Sequence, residues 1–300
     1  MSKYCLECHK FERRLHGNST RRFSRQAIKG IWDFVRKKGY VCYYTGMKLE
    51  MNDPKSPWYC VFDHWLPGDP RKIVLTSALL NGMKSDLTEK EFWYFVIQLD
   101  NCRKKHIQIR KRRVKYWVRL YPAGHKRPAG LLLVCTPALA EVKRNCIICG
   151  KPIHEMYKSY PKYCNTCAHL ARRMDDEDFS LAVVDGIWDH VRQRGYVCYY
   201  TGLKLELNNE QSPWYCVFDH WIPGDDSKVV LTFALFNEMK QDLTEKEFGY
   251  FIGQLAAFKR NHTKVRKIKL TYWNRFFCYG IWSYIISIRT VSRIKKNYLV

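Results

Sequence analysis

The chain has 300 residues, 46% of them hydrophobic, and a formal net charge of +24 at pH 7. The length and the hydrophobic content are sufficient for about two packed domains. The charge favours a polyanionic partner over a merely soluble basic protein, with nucleic acid first and an anionic membrane surface second. The odd number of 13 cysteines and the lack of an apolar N-terminal segment exclude a secreted disulfide framework and indicate the reducing cytoplasm, with thiols that bind metal.

An internal repeat organises the chain. Gly30–Leu99 aligns without a gap with Gly186–Leu255, and about 51 of the 70 aligned positions are identical. Upstream, Tyr4–Leu15 matches Tyr163–Met174. We therefore predict a first module with a partial Cys-x-x-Cys segment and a basic tail over 1–122, a linker over 123–145, a four-cysteine segment over 146–178, and a second module with a basic C-terminal tail over 179–300.

In chain order, each copy predicts helix, strand, strand, short helix and long helix. In the first copy, "AIKGIWDFVRKKG" has apolar residues at helical spacing, "YVCYYTG" is typical of a strand that enters a turn, and "WYCVFDHW" predicts a second strand before the turn "PGDP". "KIVLT" can add a third strand and "SALLNGMK" a short helix. In "DLTEKEFWYFVIQL", Thr88 and Glu91 form a capping box for a long helix, so the fold class is α+β.

An Asp-His pair ends the second predicted strand. Neighbouring strand residues point to opposite faces, so Asp63 and His64 can serve one site only where the backbone bends, as at Pro67-Gly68. Asn81 and Lys84 share one face of the short helix. If that helix packs on the hairpin, Asp63 and Asn81 offer oxygen ligands to Mg²⁺, and His64 is a general base. The alternatives are a structural Asp-His pair, a helix-capping Asn and a solvated Lys.

This pattern resembles the HNH endonucleases, which have the ββα-metal nuclease fold. The resemblance is carried by "CYYTG", "DHW-P", "KIVLTSALLNGMK" and "DLTEKEF" in both copies. It implies two tandem ββα-metal modules with flanking helices, each holding Mg²⁺ or Mn²⁺. The implied bases are His64 and His220, the implied metal ligands are Asp63, Asn81, Asp219 and Asn237, and the implied phosphate contacts are Lys84 and Lys240.

Two departures from the family pattern stand out. The family's middle Asn, which orients the base, falls near Lys72 and Lys228, and Lys cannot accept a hydrogen bond as Asn does. Many relatives also have Cys-x-x-Cys pairs beside the hairpin and helix. Here the nearby cysteines belong to no such pair, and they are expected to be buried thiols: Cys42, Cys60, Cys198 and Cys216.

A structural zinc site is predicted between the two modules. Cys146, Cys149, Cys164 and Cys167 form a C-x2-C-x14-C-x2-C arrangement, in which two tight turns complete a tetrahedron around Zn²⁺. A closed set of four thiolates leaves no open position, so its expected role is in folding. The first copy keeps only Cys5 and Cys8, which are either a remnant or a partial zinc site completed by His9 and His16.

The basic tails Arg103–Leu120 and Phe258–Val300 contain no acidic residue, and phosphate contact relieves the repulsion between such dense like charges. A solvated helix face is the alternative. Aromatic residues in the tails can stack on bases or anchor the tail, and the apolar segment Phe276–Ile288 is too short for a membrane span and is expected to be a packing helix or surface anchor. The expected nucleic-acid contacts are Arg103, Lys104, Arg110, Lys111, Arg112, Arg113, Lys259, Arg260, Arg266 and Lys267.

The sequence thus predicts a tandem HNH-type endonuclease that hydrolyses phosphodiesters in nucleic acid. Double-stranded DNA is the first expectation, and RNA stays open. Two sites in one chain can act as a covalent pseudo-dimer without a second subunit. The rival is a zinc-stabilised nucleic-acid-binding protein that cuts nothing, and a third hypothesis is a basic assembly protein.

Overall fold

The computed structural model describes residues 6–16, 23–67, 69, 71–111, 113–115, 117, 145–153, 162–267 and 269–271. Within these ranges the fold is mixed α+β, with eight helices, two small antiparallel sheets and a cluster of four cysteines. The elements are α1 (Leu6–His16), α2 (Arg25–Lys38), β1 (Cys60–His64), β2 (Ile73–Ser77), α3 (Ala78–Lys84), α4 (Glu89–Lys105), α5 (Asn165–Asp176), α6 (Leu181–Arg194), β3 (Cys216–His220), β4 (Val229–Phe233), α7 (Ala234–Lys240) and α8 (Glu245–Asn261).

The predicted end of α2 and the predicted starts of α4 and α8 are present in the structure. Ser24 caps α2 by accepting a hydrogen bond from the Ala27 amide, and Gly39 ends that helix with a φ of +76°. Thr88 and Glu91 form the predicted capping box at the start of α4, and the second copy repeats it at α8.

The first predicted strand is wrong, and the hairpin is made by the next two. "YVCYYTG" forms a tight turn in which the Gly46 amide donates to the Cys42 carbonyl at 2.8 Å and the Cys42 amide donates to the Met47 carbonyl at 2.8 Å. Gly46 has a φ of +68°, which favours glycine, and the closed turn leaves no room for an extended strand. Instead, β1 pairs antiparallel with β2, with Asp63 opposite Val74 and His64 opposite Ile73.

The chain divides into two compact units, residues 1–117 with 238–300 and residues 118–237. In the first unit, α8 packs against α4. Trp93, near the start of α4, contacts Phe258 near the end of α8, while Arg103, near the end of α4, lies over Gly249. The two helices are therefore antiparallel, and the last helix of the second repeat completes the core around the first.

A buried carboxylate joins this helix pair. Asp100 is fully buried, and its carboxylate lies 2.7 Å from the Arg260 guanidinium and 3.0 Å from the Lys104 ammonium. These cations hold the pKa of Asp100 below its ordinary value although burial acts to raise it. In the second copy Ala256 occupies the position that corresponds to Asp100. Only α4 therefore supplies the carboxylate of this contact, and the two helices cannot exchange roles in it.

In the second unit, α5 and α6 pack beside the β3–β4 hairpin. Phe179 contacts Phe218 edge to face with ring centroids 5.0 Å apart, and Tyr200 stacks on Phe236 at 4.7 Å. Among the residues that the structure describes, no helix has both the length and the apolar character that crossing a membrane requires. The apolar segment Phe276–Ile288 lies outside the described residues.

Candidate functional site

The end of β1 meets the end of α3 at a buried ion pair. The Lys84 ammonium lies 3.1 Å from Oδ2 and 3.2 Å from Oδ1 of Asp63, and it donates to the His64 carbonyl at 3.1 Å. Tyr44 donates its hydroxyl to Asp63 Oδ2 at 2.5 Å. Lys84 is 1% exposed and Asp63 is 6% exposed. The Lys84 ammonium of α3 therefore contacts both the carboxylate of Asp63 and the backbone carbonyl of the predicted base, His64.

Burial dominates the titration of this cluster. It raises the pKa of Asp63 above its ordinary value, although Lys84 and Tyr44 both act to lower it. Burial also raises the pKa of Tyr44, and the Asp63 charge adds to that effect. The Tyr44 phenol therefore keeps its proton at neutral pH and is a permanent hydrogen-bond donor to the carboxylate.

Asn81 lies on α3 one turn before Lys84, so both residues are on the face that meets β1. Asn81 and His64 are both half-buried. The Lys84 ammonium contacts the Asp63 carboxylate and is shielded from solvent. Phosphate contact by Lys84 therefore stays a prediction, and it requires the ion pair with Asp63 to separate.

The second copy places the same residue types in the same elements. Asp219 is 5% exposed and accepts a hydrogen bond from Tyr200 at 2.6 Å. Asn237 is half-buried on α7, and Lys240 is fully buried. His220 ends β3, and its Nε2 lies 3.0 Å from Oδ1 of Asp226.

The two lysines at the position of the family's base-orienting Asn have another role. The Lys72 ammonium lies 4.7 Å from the centroid of the Trp65 ring, and the Lys228 ammonium lies 5.4 Å from that of Trp221. These are cation–π contacts. Trp65 in turn donates to Glu89 Oε2 at 2.7 Å, which ties the strand end to the start of α4.

Replacing Lys84 with Met is expected to lower the free energy of unfolding by about 3–5 kcal/mol, because it leaves the buried Asp63 charge without its cation. Urea denaturation at pH 7 measures this change. Lys90→Met is the matched control, since Lys90 is an exposed residue of α4. Adding Asp63→Asn to Lys84→Met should recover part of the loss, and two additive effects would contradict the pairing.

A four-cysteine cluster forms the second candidate site. The Sγ atoms of Cys146, Cys149, Cys164 and Cys167 all lie within 4.8 Å of one another, and three of these residues are buried. A tetrahedral zinc site with Zn–S bonds of about 2.3 Å has sulfur–sulfur separations of about 3.8 Å. The prediction that the four cysteines converge is confirmed, and the cluster can hold a structural metal such as zinc.

Two local structures position these thiols. Cys146 and Cys149 lie in a tight turn in which the Gly150 amide donates to the Cys146 carbonyl at 2.9 Å, and Cys164 is the N-cap of α5. Burial acts to raise the pKa of Cys146, but backbone amides of the turn and of the α5 end lower it to about 7. At Cys146 these amides favour the thiolate, which is the metal-binding form of cysteine. Burial raises the pKa of Cys149 and of Cys167.

The same backbone turn occurs twice more without the four cysteines. Around Cys42 and around Cys198 the hydrogen bonds match those around Cys146, with Gly46 and Gly202 at the positive-φ position. Each buried thiol instead lies near a threonine hydroxyl: Cys42 Sγ is 3.5 Å from Thr76 Oγ1, and Cys198 Sγ is 3.3 Å from Thr232 Oγ1. The expectation that Cys42, Cys60, Cys198 and Cys216 are buried is confirmed.

The partial site of the first copy lies at the edge of the described residues. Cys8 Sγ is 3.4 Å from the Tyr40 hydroxyl, as Cys167 Sγ is 2.9 Å from that of Tyr196. His16 contacts Glu12 at 2.8 Å. Cys5 lies outside the described residues.

After α4 and α8 the basic tails double back along their helices. Ile109 and Val265 are buried anchors, and the backbone amides of Lys115 and Thr271 donate to Glu91 and Glu247 at 2.8 and 2.7 Å. Between these anchors the basic side chains are exposed, so the tails are extended straps. The exposed residues among the predicted contacts are Arg103, Lys104, Arg110, Lys111, Arg113, Lys259, Arg260, Arg266 and Lys267.

Some of these cations already have acidic partners. Arg103, Lys104 and Arg260 surround Asp100, and Lys267 lies 2.5 Å from Glu50. Their contribution to nucleic-acid binding is therefore expected to be smaller than that of the strap residues Arg110, Arg113 and Arg266. Arg112 lies outside the described residues.

The sequence patterns did not predict two kinds of residue that lie at the strand ends. Tyr44 and Tyr200 are in the repeated "CYYTG" segment, and that repetition was the available signal. In the first copy Pro70 is at the position of Asp226. The repeat therefore gives no signal for a role of Asp226. No family model matches this chain, and neither the curated proteins nor the solved structures compared with it give a significant match.

Proposed function

We propose that the chain is a metal-dependent endonuclease of the HNH type, with one site at the end of each hairpin. The observation that carries the proposal is the junction of β1 and α3, where the Lys84 ammonium contacts both the Asp63 carboxylate and the His64 carbonyl. Asn81 is one turn earlier on the same helix, so its amide lies on the same side of α3 as the Lys84 ammonium. The same residue types recur at the second hairpin.

The donor set suits a hard divalent cation. Asp63 and Asn81 in the first copy, and Asp219 and Asn237 in the second, supply the carboxylate and amide oxygens that Mg²⁺ or Mn²⁺ prefers. Each carboxylate oxygen has about two acceptor sites, so Asp63 Oδ1 keeps capacity beyond its contact with Lys84. The bound metal would neutralise charge on the phosphate and its leaving oxygen.

The histidines would supply the proton acceptor. In each site a water oxygen attacks phosphorus while His64 or His220 takes a proton from that water, and the bond between phosphorus and the leaving oxygen breaks. The leaving oxygen takes a proton from solvent. His64 and His220 are each the last residue of a strand, so the hairpin fixes the position of their backbone.

The direct test is an assay on supercoiled plasmid DNA, with and without Mg²⁺ or Mn²⁺. We expect nicked and linear products that require the metal and disappear with EDTA. A single-stranded RNA in parallel decides the substrate class. No product with either substrate and either metal contradicts the enzyme assignment.

A non-catalytic nucleic-acid-binding protein is the second candidate. The observation that favours it is the engagement of Asp63 by both Lys84 and Tyr44, which is also how a purely structural carboxylate is satisfied. This candidate predicts binding without metal-dependent product, and the same plasmid assay separates the two.

Both candidates share a structural zinc and a basic binding surface. We infer that Cys146, Cys149, Cys164 and Cys167 hold Zn²⁺ as a closed set that serves folding. The straps after α4 and α8 would contact phosphates, with double-stranded DNA as the expected partner and the cytoplasm as the expected compartment.

Nucleic-acid affinity is expected to fall about 10³–10⁵-fold between 50 and 200 mM salt if six to ten phosphates are neutralised. Replacing Arg110, Lys111 and Arg113 together with Gln should weaken binding and flatten this dependence, as measured by fluorescence anisotropy. The matched control changes three exposed or half-buried cations at the end of α2, Arg36, Lys37 and Lys38, to Gln. Equal losses from the two triple variants would contradict a specific role for the strap.

A further inference from the structure

The two proposed sites differ in one feature that the repeat does not predict. At the end of β3, Nε2 of His220 lies 3.0 Å from Oδ1 of Asp226, which is the distance of a hydrogen bond. In the first copy the residue at that position is Pro70, which has no side-chain acceptor. The sequence therefore supplies a carboxylate at this position in the second copy and none at the matching position of the first.

The contact has the form that orients a general base. A carboxylate that accepts a hydrogen bond from Nε2–H keeps the proton on that nitrogen, so the basic lone pair is on Nδ1. The usual base-orienting position of the family is Lys228 here, and its ammonium lies against the Trp221 ring. A cation at that position cannot accept a hydrogen bond from the imidazole, and Asp226 can.

Exposure decides what kind of effect to expect. The His220 side chain is 44% exposed and that of Asp226 is 90% exposed. An ion pair between such water-accessible groups contributes little to stability. The contact between Asp226 and His220 instead affects the orientation and the tautomer of the imidazole, and both matter for proton transfer.

The loop holds Asp226 in place through its neighbour. Oδ1 of Asp225 accepts hydrogen bonds from the Ser227 amide at 2.9 Å and from the Ser227 hydroxyl at 2.5 Å. These bonds close the turn that follows Gly224, whose φ is +77°. Asp225 thus shapes the turn, while Asp226 projects from it towards His220.

We propose that Asp226 is a positioning residue for His220, which makes the second site an Asp-His dyad. This inference rests on the proposed endonuclease function. It predicts that Asp226 influences cleavage through His220 and not through substrate binding.

The test uses the full chain with His64→Ala, so that the second site acts alone on supercoiled plasmid with Mg²⁺. Adding Asp226→Ala should lower kcat about 10-fold with little change in KM. Asp226→Asn, whose amide oxygen can still accept from Nε2–H, should lose less. Asp225→Asn removes the same charge one residue away, but its amide oxygen can still accept the two Ser227 hydrogen bonds that close the turn, so the rate should change far less than in Asp226→Ala. A loss confined to KM, or equal losses from the Asp225 and Asp226 variants, would overturn the proposal.

A second readout does not depend on cleavage. In the ¹⁵N-histidine-labelled chain, long-range ¹H–¹⁵N spectra report the tautomer, and His220→Ala identifies the His220 signals. We expect the Nε2-protonated form in the parent and a mixed population after Asp226→Ala. Identical spectra would refute the dyad. A shifted tautomer in a chain that cleaves nothing would uphold the dyad and reject the nuclease function.

Discussion

Replacing His64 and His220 together with Ala is expected to lower the rate of metal-dependent plasmid cleavage by about 10²–10⁴-fold, the usual effect of removing a general base. The reason is that each imidazole would take the proton from the attacking water, and Ala has no group for that step. The initial rate of conversion from supercoiled to nicked plasmid measures the effect. Each single variant should retain the activity of the other site.

The pattern of products adds a second expectation. If the two sites cut opposite strands, the single variants should accumulate nicked circles, while the parent also yields linear DNA. His106→Asn with His262→Asn is the matched control, because both residues are exposed at the C-terminal ends of α4 and α8 and Asn tolerates their positive φ. Undiminished nicking by the double His64 and His220 variant, with an unchanged circular-dichroism spectrum, would reject the enzymatic hypothesis.

Replacing Cys146 and Cys149 with Ser is expected to abolish zinc binding and to unfold the segment around α5. Zinc contributes on the order of 10–16 kcal/mol in small zinc peptides, which is as large as the whole free energy of unfolding of a typical domain, about 5–15 kcal/mol. Elemental analysis should give one zinc per four-cysteine cluster in the parent and none in the variant. Limited proteolysis should cut the variant near α5 first.

Cys198→Ser is the matched control for this experiment. Cys198 occupies the same backbone turn in the same unit, but its thiol lies near the Thr232 hydroxyl. Serine keeps a hydroxyl there, so zinc content and protease resistance should be preserved. A metal-free parent that stays folded after treatment with a chelator would refute the structural role of the cluster.

The local elements followed from the sequence because their causes are local. Thr88 and Thr244 each cap a helix through an amide three residues later, and Gly39 ends α2 with positive φ. The thiols within each pair are close for local reasons, because Cys146 and Cys149 share one tight turn and Cys164 and Cys167 share the start of α5. The approach of one pair to the other depends on the fold. The β-branched and aromatic segments predicted that a hairpin forms, but they did not predict which strands pair in it. The expected first strand is instead a closed turn after Val41.

Tertiary structure alone decided the chemistry around the strand ends and the grouping of the repeats. The Lys84 charge is buried beside Asp63 because α3 docks on β1, whereas its sequence is equally compatible with a solvated lysine. Asp100 is far in sequence from Arg260, and only the antiparallel packing of α4 and α8 makes them an ion pair. Asp226 reaches His220 through the loop that follows Gly224. Sequence patterns record neighbours along the chain, while burial and contacts between distant residues appear only when the chain is folded.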